Sequence, residues 1–336
     1  MTNMKALQIT GYGNFAKYLT INDVPKPKIN ENQVLIKVKA AGLNPVDYKT
    51  VEGELKMIRK ISFPSTIGFD VAGTVVEKGS SVNNFQIGDN VYSNLAPNSF
   101  GAFAEYVAAD NNIVCLKPNN INFKEAASLP LVGLTTLQAM NKASLKKGDK
   151  VLIHAGSGGV GSFAIQFAKN KGAIVYTTTS TDNVTWVKKL GADRVIDYKK
   201  ESYKNIVPAL DIVFDTLGNN YTFEAFDIIR KGGTVVSLLG DVDNEFARDQ
   251  NLNGLIRLFL TFKRRKVTKL EKAKSANYKF IFMKPDARQL LEIKYLIESE
   301  AIKPIVVKTF SLDDFLSAFN YLKSGRAKGK VIFELN

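Results

Sequence analysis

Residues 151–179 read VLIHAGSGGVGSFAIQFAKNKGAIVYTTT. A short apolar run stops at a glycine-rich turn. An amphipathic stretch follows, Val160–Lys171, with Val160, Ala164 and Phe167 on one face, and a second apolar run ends the segment. The order is strand, loop, helix, strand. Gly156, Gly158 and Gly161 form G-x-G-x-x-G between the first strand and the helix. In that setting the spacing is a dinucleotide-binding fingerprint. Gly156 permits the tight turn, Gly158 lets the backbone approach a pyrophosphate, and Gly161 lets helix and strand pack closely. The anion then meets the free N–H groups of the helix N-terminus. Gly156, Ser157, Gly158, Gly159, Val160 and Gly161 are therefore expected at the cofactor.

The next strand end sets the cofactor's identity. NAD-binding versions place Asp or Glu about 20 residues after the loop, on the ribose 2′-hydroxyl. Here residues 176–184 read YTTTSTDNV, with Thr178, Thr179, Ser180 and Thr181 where a carboxylate would stand. Asp182 is expected to cap the following helix. Hydroxyls with Lys188, Lys189 or Tyr198 nearby suit a 2′-phosphate, where one charge-assisted hydrogen bond contributes about 1.5–3 kcal/mol. NADPH is expected over NADH. His154, the only histidine of the chain, opens the loop and is expected to be structural rather than catalytic.

Strands and helices keep alternating downstream. Asn183–Leu190 reads as a short helix, and residues 192–198, 209–218 and 232–240 read as strands. Buried strands alternating with helices indicate a parallel, doubly wound sheet. Leu252, Leu255, Ile256, Phe259 and Leu260 then have the spacing of an amphipathic helix. Upstream the texture is β-rich. QVLIKVKAAGLN (33–44) sets Val34, Ile36 and Val38 against Lys37 and Lys39, the alternation of a half-buried strand. Gly68, Gly73, Gly79 and Gly88 separate short β-branched runs, as in a compact barrel-like domain. The C-terminus returns to strand, helix and strand over 305–335.

At 336 residues the chain has room for about two domains. One cysteine excludes an intrachain disulfide and suits a reducing compartment. MTNMKALQIT has no apolar run behind a basic stretch, so no secretory signal is expected and the location is predicted to be cytoplasmic. The net charge is +14, and more than half of it lies in Arg257–Lys279, which holds nine basic residues against Glu271 alone. With Phe259, Phe262 and Tyr278 this segment would suit acidic membrane lipid or nucleic acid. The plainer reading, a solvated helix and loop, is preferred. No nucleic-acid partner is expected, and acidic-membrane association through 257–279 is at most weak.

A zinc site needs at least three Cys, His or carboxylate ligands. With only Cys115 and His154 to offer, neither a conventional zinc site nor a Ser or Cys triad can be assembled, and no metal is expected. The chemistry then belongs to the cofactor. Here the chain resembles a family. HAGSGGVGSFAIQFAK, AAGLNPVDYKT, IGFDVAGTVVEKG, IGDNVYS, GAFAEYV, AASLPLVGLTTLQAM and GRAKGKVI look like the zinc-independent quinone oxidoreductase and enone (alkenal) reductase branch of the medium-chain dehydrogenases/reductases. The motifs run in order along essentially the whole chain.

The resemblance implies an α/β fold: a GroES-like β-rich catalytic domain over 1–123 and 285–336, and a Rossmann NADPH-binding domain over 124–284. It also implies an active cleft between them, and a homodimer. In zinc-dependent relatives a cysteine ligand stands at Asn44, and Gly-His-Glu stands at Gly68–Asp70. In this branch NPVDYK lines the cleft, which brings Asn44, Tyr48 and Lys49 forward as catalytic, with Asp47 only fixing the turn. The resemblance places Ser180, Thr181 and Asn183, with Lys188 and Tyr198, at the 2′-phosphate. It places Thr216, Leu217, Gly218, Leu239 and Gly240 toward the nicotinamide and its ribose. Lys330 is also assigned to the cofactor.

The expected reaction is hydride delivery from NADPH to a small apolar quinone or to the C=C bond of an α,β-unsaturated carbonyl. Asn44 and Tyr48 would donate to the developing oxyanion, and a Lys49 ammonium would lower the phenol's pKa from about 10. The alternative is a catalytically weak NADPH-binding sensor or interaction protein of the same fold.

Overall fold

The computed structural model describes residues 2–56, 60–96, 100–249 and 252–335. The chain forms two compact units, Met1–Leu134 with Lys284–Asn336, and Thr135–Met283. The sequence reading divides the chain at 123/124, just ahead of the Pro130–Lys142 helix. The observed division falls inside that helix.

The Thr135–Met283 unit is built on a six-stranded, all-parallel sheet. Its spatial order is Arg194–Asp197, Ile174–Thr179, Lys150–Ile153, Leu210–Asp215, Ile229–Ser237 and Asn277–Phe280. Numbered along the chain this is 3-2-1-4-5-6, the Rossmann order, and the direction reverses between Lys150–Ile153 and Leu210–Asp215. Ligands of such sheets bind beyond the carboxyl ends of the strands at that reversal. The central strands are covered on both faces, so they read as continuous apolar runs: Val151, Leu152 and Ile153, then Ile212, Val213 and Phe214, are all buried.

Three local expectations are adjusted. The loop helix is Gly159–Asn170. Asp182 is exposed within a 3₁₀ turn, and the cap positions belong to Ser180 and Asn183. In the helix Gly254–Lys263, Leu255 and Phe259 face solvent rather than the core.

The other unit carries a three-stranded sheet and a seven-stranded sheet. Gln33–Leu43 lies at the centre of the larger one, paired with Asp70–Lys78, Tyr106–Asp110 and the C-terminal strand Lys330–Glu334. The chain thus returns to close the sheet it began, with Val331 opposite Leu43 and Glu334 opposite Ala40. Gln33–Leu43 is more buried than simple alternation predicts: Leu35 and Ala41 are covered as fully as Val34 and Ile36. Partners on both sides and two register shifts against Asp70–Lys78 explain this, since each shift swaps the outward face. The returning segment also supplies core aromatics. Phe333 packs edge-on to Phe103 at 4.9 Å between ring centres, and Phe319 lies 6.4 Å from Phe103. Among the described residues no helix is long and apolar enough to cross a membrane.

Candidate functional site

The glycine loop begins where the Lys150–Ile153 strand ends. Ala155 takes a positive φ of 51°, and the Gly156 N–H donates to Thr178 O at 2.9 Å, tying the loop to the neighbouring strand. A Cβ on Gly156 would lie 2.2 Å from Thr177 Oγ1, and one on Gly161 would lie 2.2 Å from Ala155 O. Only glycine fits at either place. At Gly158 a Cβ would meet nothing nearer than Ala155 O at 3.4 Å, so its requirement comes from outside the loop. Gly158 is the N-cap of the Gly159–Asn170 helix and has no side chain to offer its first turn. The unsatisfied N–H groups there are a ready anion site. The loop therefore fits a pyrophosphate.

At the end of the Ile174–Thr179 strand the hydroxyls divide by role. Thr177 Oγ1 donates to Ile153 O at 2.7 Å, and Thr178 Oγ1 accepts from the Ala155 N–H at 3.2 Å. Thr179 Oγ1 is buried without a hydrogen-bond partner. Ser180 Oγ accepts from Asn183 Nδ2 at 2.9 Å, and Asn183 Oδ1 accepts from Trp186 Nε1 at 3.1 Å. Asp197 stands opposite Thr179 on the next strand. Partial burial pushes its carboxyl up, but the Thr181 hydroxyl, the Lys199 N–H and the Lys200 and Lys199 charges outweigh that and hold it below its usual range. Tyr198, Lys199 and Lys200 are exposed directly after it, and Lys188 is exposed at the end of the helix Val184–Lys188, which lies between the two strands in sequence. Sequence reasoning had missed Lys199, Lys200 and Asp197. The signal was parallel register, which a linear reading lacks.

Asp215 organises the other side of the reversal. It ends the Leu210–Asp215 strand fully buried. Oδ1 accepts from the Leu217 and Gly218 N–H groups at 3.0 and 2.8 Å, and Oδ2 accepts from Thr222 Oγ1 and Ser237 Oγ at 2.5 and 2.7 Å. Ser237 Oγ in turn accepts from the Gly240 N–H at 2.8 Å, and Thr216 Oγ1 donates to His154 O at 2.9 Å. Thr216, Leu217, Gly218 and Gly240 are thereby set around one carboxylate absent from the sequence-derived site. Leu239 projects into solvent beside them.

His154 is wholly buried. Its Nδ1 lies 3.2 Å from Thr178 Oγ1, its ring stands edge-on to Tyr203 and Tyr221, and its Nε2 has no hydrogen-bond partner. Desolvation pushes its pKa down to about 4, against the opposing pull of Asp215 and Glu224. The imidazole is neutral near neutral pH and acts as packing beneath the loop.

In the barrel-like unit, the expected catalytic segment lies on the helix Pro45–Val51, with Asn44 as its cap. The Asn44 N–H donates to Asp47 Oδ2 at 2.7 Å, so Asp47 fixes this turn. The Asn44 side chain is buried. Its Nδ2 donates to Asp70 Oδ2 at 2.9 Å and to Gly42 O at 3.2 Å, and its Oδ1 accepts from Lys330 Nζ. Lys330 Nζ also pairs with Asp70 Oδ2 at 3.0 Å and reaches Leu43 O at 3.5 Å. Asp70 Oδ1 accepts from Asn94 Nδ2 and from the Leu131 N–H, each at 2.9 Å.

Two assignments change as a result. Asn44 has no amide proton left for an oxyanion, and Lys330 has its three N–H groups taken within its own unit. A third concerns Tyr48, which is half-buried. Burial raises its pKa, Glu54 and Glu52 raise it further, and Lys323 opposes them. Lys49 does not lower it; its ammonium pairs with Glu54 at 3.4 Å.

Profile matches to known families cover both parts of the chain. Residues 30–119 match the alcohol dehydrogenase GroES-like domain, and residues 190–333 match a family described as zinc-binding dehydrogenase. The donors of this chain do not fit zinc. Asn44 and Asp70 are bound to an ammonium, His154 is enclosed by tyrosines, and burial pushes the Cys115 thiol up to about 11. The chain is 35% identical to the 2-methylene-furan-3-one reductase of Solanum lycopersicum, over 98% of this chain and 79% of that protein. It is 34% identical to the chloroplastic NADPH-dependent alkenal/one oxidoreductase of Arabidopsis thaliana, over the same shares. The quinone oxidoreductase structure from Coxiella burnetii superposes with a TM-score of 0.86 at 35% identity, covering 100% of both chains.

Two outcomes follow from this geometry. Lys330→Met strands the buried Asp70 carboxylate and lowers stability by about 3–5 kcal/mol in urea denaturation. Adding Asp70→Asn recovers much of the loss, and a single-variant loss under about 1 kcal/mol would remove the pair's role. His154, with its folded pKa depressed to about 4, takes up a proton more readily when unfolded. Its contribution is full above its unfolded value of about 6.5 and falls away as pH drops toward the folded value. The slope attributable to it approaches 1.4 kcal/mol per pH unit, at roughly pH 6 to 5, and His154→Gln removes it.

Proposed function

The chain is an oxidoreductase of the quinone oxidoreductase and alkenal/enone reductase branch of the medium-chain dehydrogenases/reductases, and from that membership we propose that it reduces small apolar quinones or the C=C bond of α,β-unsaturated carbonyl compounds with NADPH. The observation that carries this reading is the glycine loop, whose helix N-terminus is left open by Gly158.

Ser157 and the N–H groups of the Gly159–Asn170 helix would hold the pyrophosphate. Ser180, Thr181, Lys188 and Tyr198, with Lys199 and Lys200, would hold the 2′-phosphate. The loops fixed by Asp215, Thr216–Gly218 and Leu239–Gly240, would receive the nicotinamide ribose. NADPH, when bound, supplies the hydride. The Tyr48 phenol, its pKa raised by burial first and then by Glu54 and Glu52, stays protonated at neutral pH and is a neutral donor. As hydride reaches the β-carbon or the quinone, electron density moves to the carbonyl oxygen. Tyr48 donates a hydrogen bond to that oxygen, lowering the barrier, and a proton from Tyr48 or water completes the product. Asn44 is a positioning residue, holding the start of the helix that carries Tyr48 through Asp47, Asp70 and Lys330. Lys49 has no part in this step. A homodimer and a cytoplasmic location belong to the same proposal. The location rests on the reducing environment that a lone buried Cys115 suits.

Cofactor oxidation with 1,4-benzoquinone and a panel of enones tests the reading. Turnover with NADPH exceeds that with NADH by roughly 10- to 150-fold in kcat/KM, the value of one charge-assisted bond. Equal values would remove the 2′-phosphate assignment. Binding of NADPH without turnover on any acceptor would favour the sensor. Tyr48→Phe lowers kcat on enones about 100-fold with little change in KM for NADPH; unchanged kcat would remove the donor role.

A further inference from the structure

The helix Gly254–Lys263 has an apolar stripe that its own unit leaves mostly exposed. Leu255, Leu258, Phe259 and Phe262 recur at i, i+3, i+4 and i+7, which puts them on one face. Such a face ordinarily packs on a core. Here the four side chains are 81, 68, 64 and 60% exposed. Ile256 and Leu260, on the opposite side, are half-buried, and no residue of the helix is fully buried. The helix lies on the domain and turns its larger apolar face outward.

Cations border that face. Lys263 is exposed at its edge on the helix itself, and Arg265 and Lys266 are exposed at the start of the next one, Arg265–Lys274. The Arg265 guanidinium lies over the Phe262 ring at 4.1 Å, so charge and apolar surface are contiguous. Glu271, the only acid between Arg257 and Lys279, is held by Arg264 at 2.7 Å, leaving the exposed cations without an acid from this segment.

We infer that this helix is a docking surface for an anionic lipid bilayer. The Leu255–Phe262 stripe enters the boundary between headgroups and acyl chains, and the rim of Lys263, Arg265 and Lys266 meets the acidic headgroups. A strong apolar face beside Lys and Arg is the composition of helices that lie in the membrane interface. Two other occupants fit less well. A second copy on the same face would bring two sets of these cations together across a two-fold axis, where like charges repel. Nucleic acid would pair with the cations but leave two phenylalanines and two leucines without an apolar partner in the phosphate backbone. The surface is independent of the reductase reading, and its test uses no substrate.

The full chain is sedimented with phosphatidylcholine vesicles containing phosphatidylserine and with phosphatidylcholine vesicles alone, at low and high salt. The chain pellets with the acidic vesicles at low salt and stays in solution with the neutral ones. Lys263→Gln with Arg265→Gln lowers the partition coefficient about 30-fold, at about 1 kcal/mol per cation. Phe259→Ser with Phe262→Ser lowers it at least as much. These side chains are exposed, so the variants keep the parent's thermal midpoint. The indole of Leu258→Trp is quenched by brominated acyl chains when acidic vesicles are added. The inference is overturned if the chain does not pellet with acidic vesicles, or if the phenylalanine variant pellets as well as the parent, which is adsorption by charge alone. A lipid-free dimer that the phenylalanine variant splits would overturn it in favour of a second copy. A nucleic-acid shift in place of vesicle binding would overturn it in favour of nucleic acid.

Discussion

Lys330 and Asp70 form an ion pair at 3.0 Å with both side chains almost fully buried. Taking two charges out of water costs several kcal/mol each, and their attraction repays that only when every remaining lone pair and proton is satisfied. Here that condition is met by Asn44, Asn94, the Leu131 N–H and the Leu43 carbonyl. The partners come from segments 260 and 286 residues apart. An arrangement this demanding has one solution in register: the returning strand must set Val331 against Leu43 so that Lys330 reaches the Asn44 turn. The turn in turn fixes the first residues of the helix bearing Tyr48. A well-packed apolar trio would be as stable, but it would tolerate a slip that this network does not.

The Thr135–Met283 unit solves a similar problem by a different route. Asp215 is as deeply buried as Asp70 yet, among the described residues, pairs with no cation; two backbone N–H groups and two hydroxyls satisfy it. Hydrogen bonds to an ionised group are about twice as strong as neutral ones, so four of them hold two loops at fixed positions. Each buried carboxylate sits at a strand end and locks the backbone that follows. In this way a β-rich unit and a parallel sheet each fix the backbone at one strand end.

What was legible in the sequence follows from the range of the physics involved. Glycine spacing, apolar runs and alternation are local, and they sufficed for a parallel, doubly wound sheet and for a β-rich unit; the return of the C-terminus to that unit was implied only by the family resemblance. Residues gathered by distant contacts were not legible. Lys330 was assigned to the cofactor because nothing near it in the chain shows that Asp70 and Asn44 take its protons. The expected effect of Lys49 on Tyr48 failed for a local reason: neighbours i and i+1 on a helix point about 100° apart and do not face each other. Lys49 meets Glu54 instead. Periodicity grouped Leu252, Leu255, Ile256, Phe259 and Leu260 in one stripe; the structure half-buries Leu252, Ile256 and Leu260 and turns Leu255 and Phe259 to solvent with Leu258 and Phe262.

The ammonium of Lys330 also bears on what kind of chemistry the barrel-like unit can offer. A catalytic metal stabilises negative charge on oxygen because it keeps an open coordination position. Lys330 brings a positive charge to Asn44 and Asp70, where the family resemblance would set the ligands of zinc-dependent relatives, but its N–H groups all point at Asn44, Asp70 and Leu43. The charge organises the turn and has no vacant direction toward a substrate. Under the proposed reaction the oxyanion is met by a neutral donor that still holds its proton as the charge develops. Burial and two nearby glutamates push the Tyr48 phenol in that direction. The same raised pKa makes the phenol a weaker acid, so Tyr48 serves as a neutral hydrogen-bond donor and water is the readier source of the final proton.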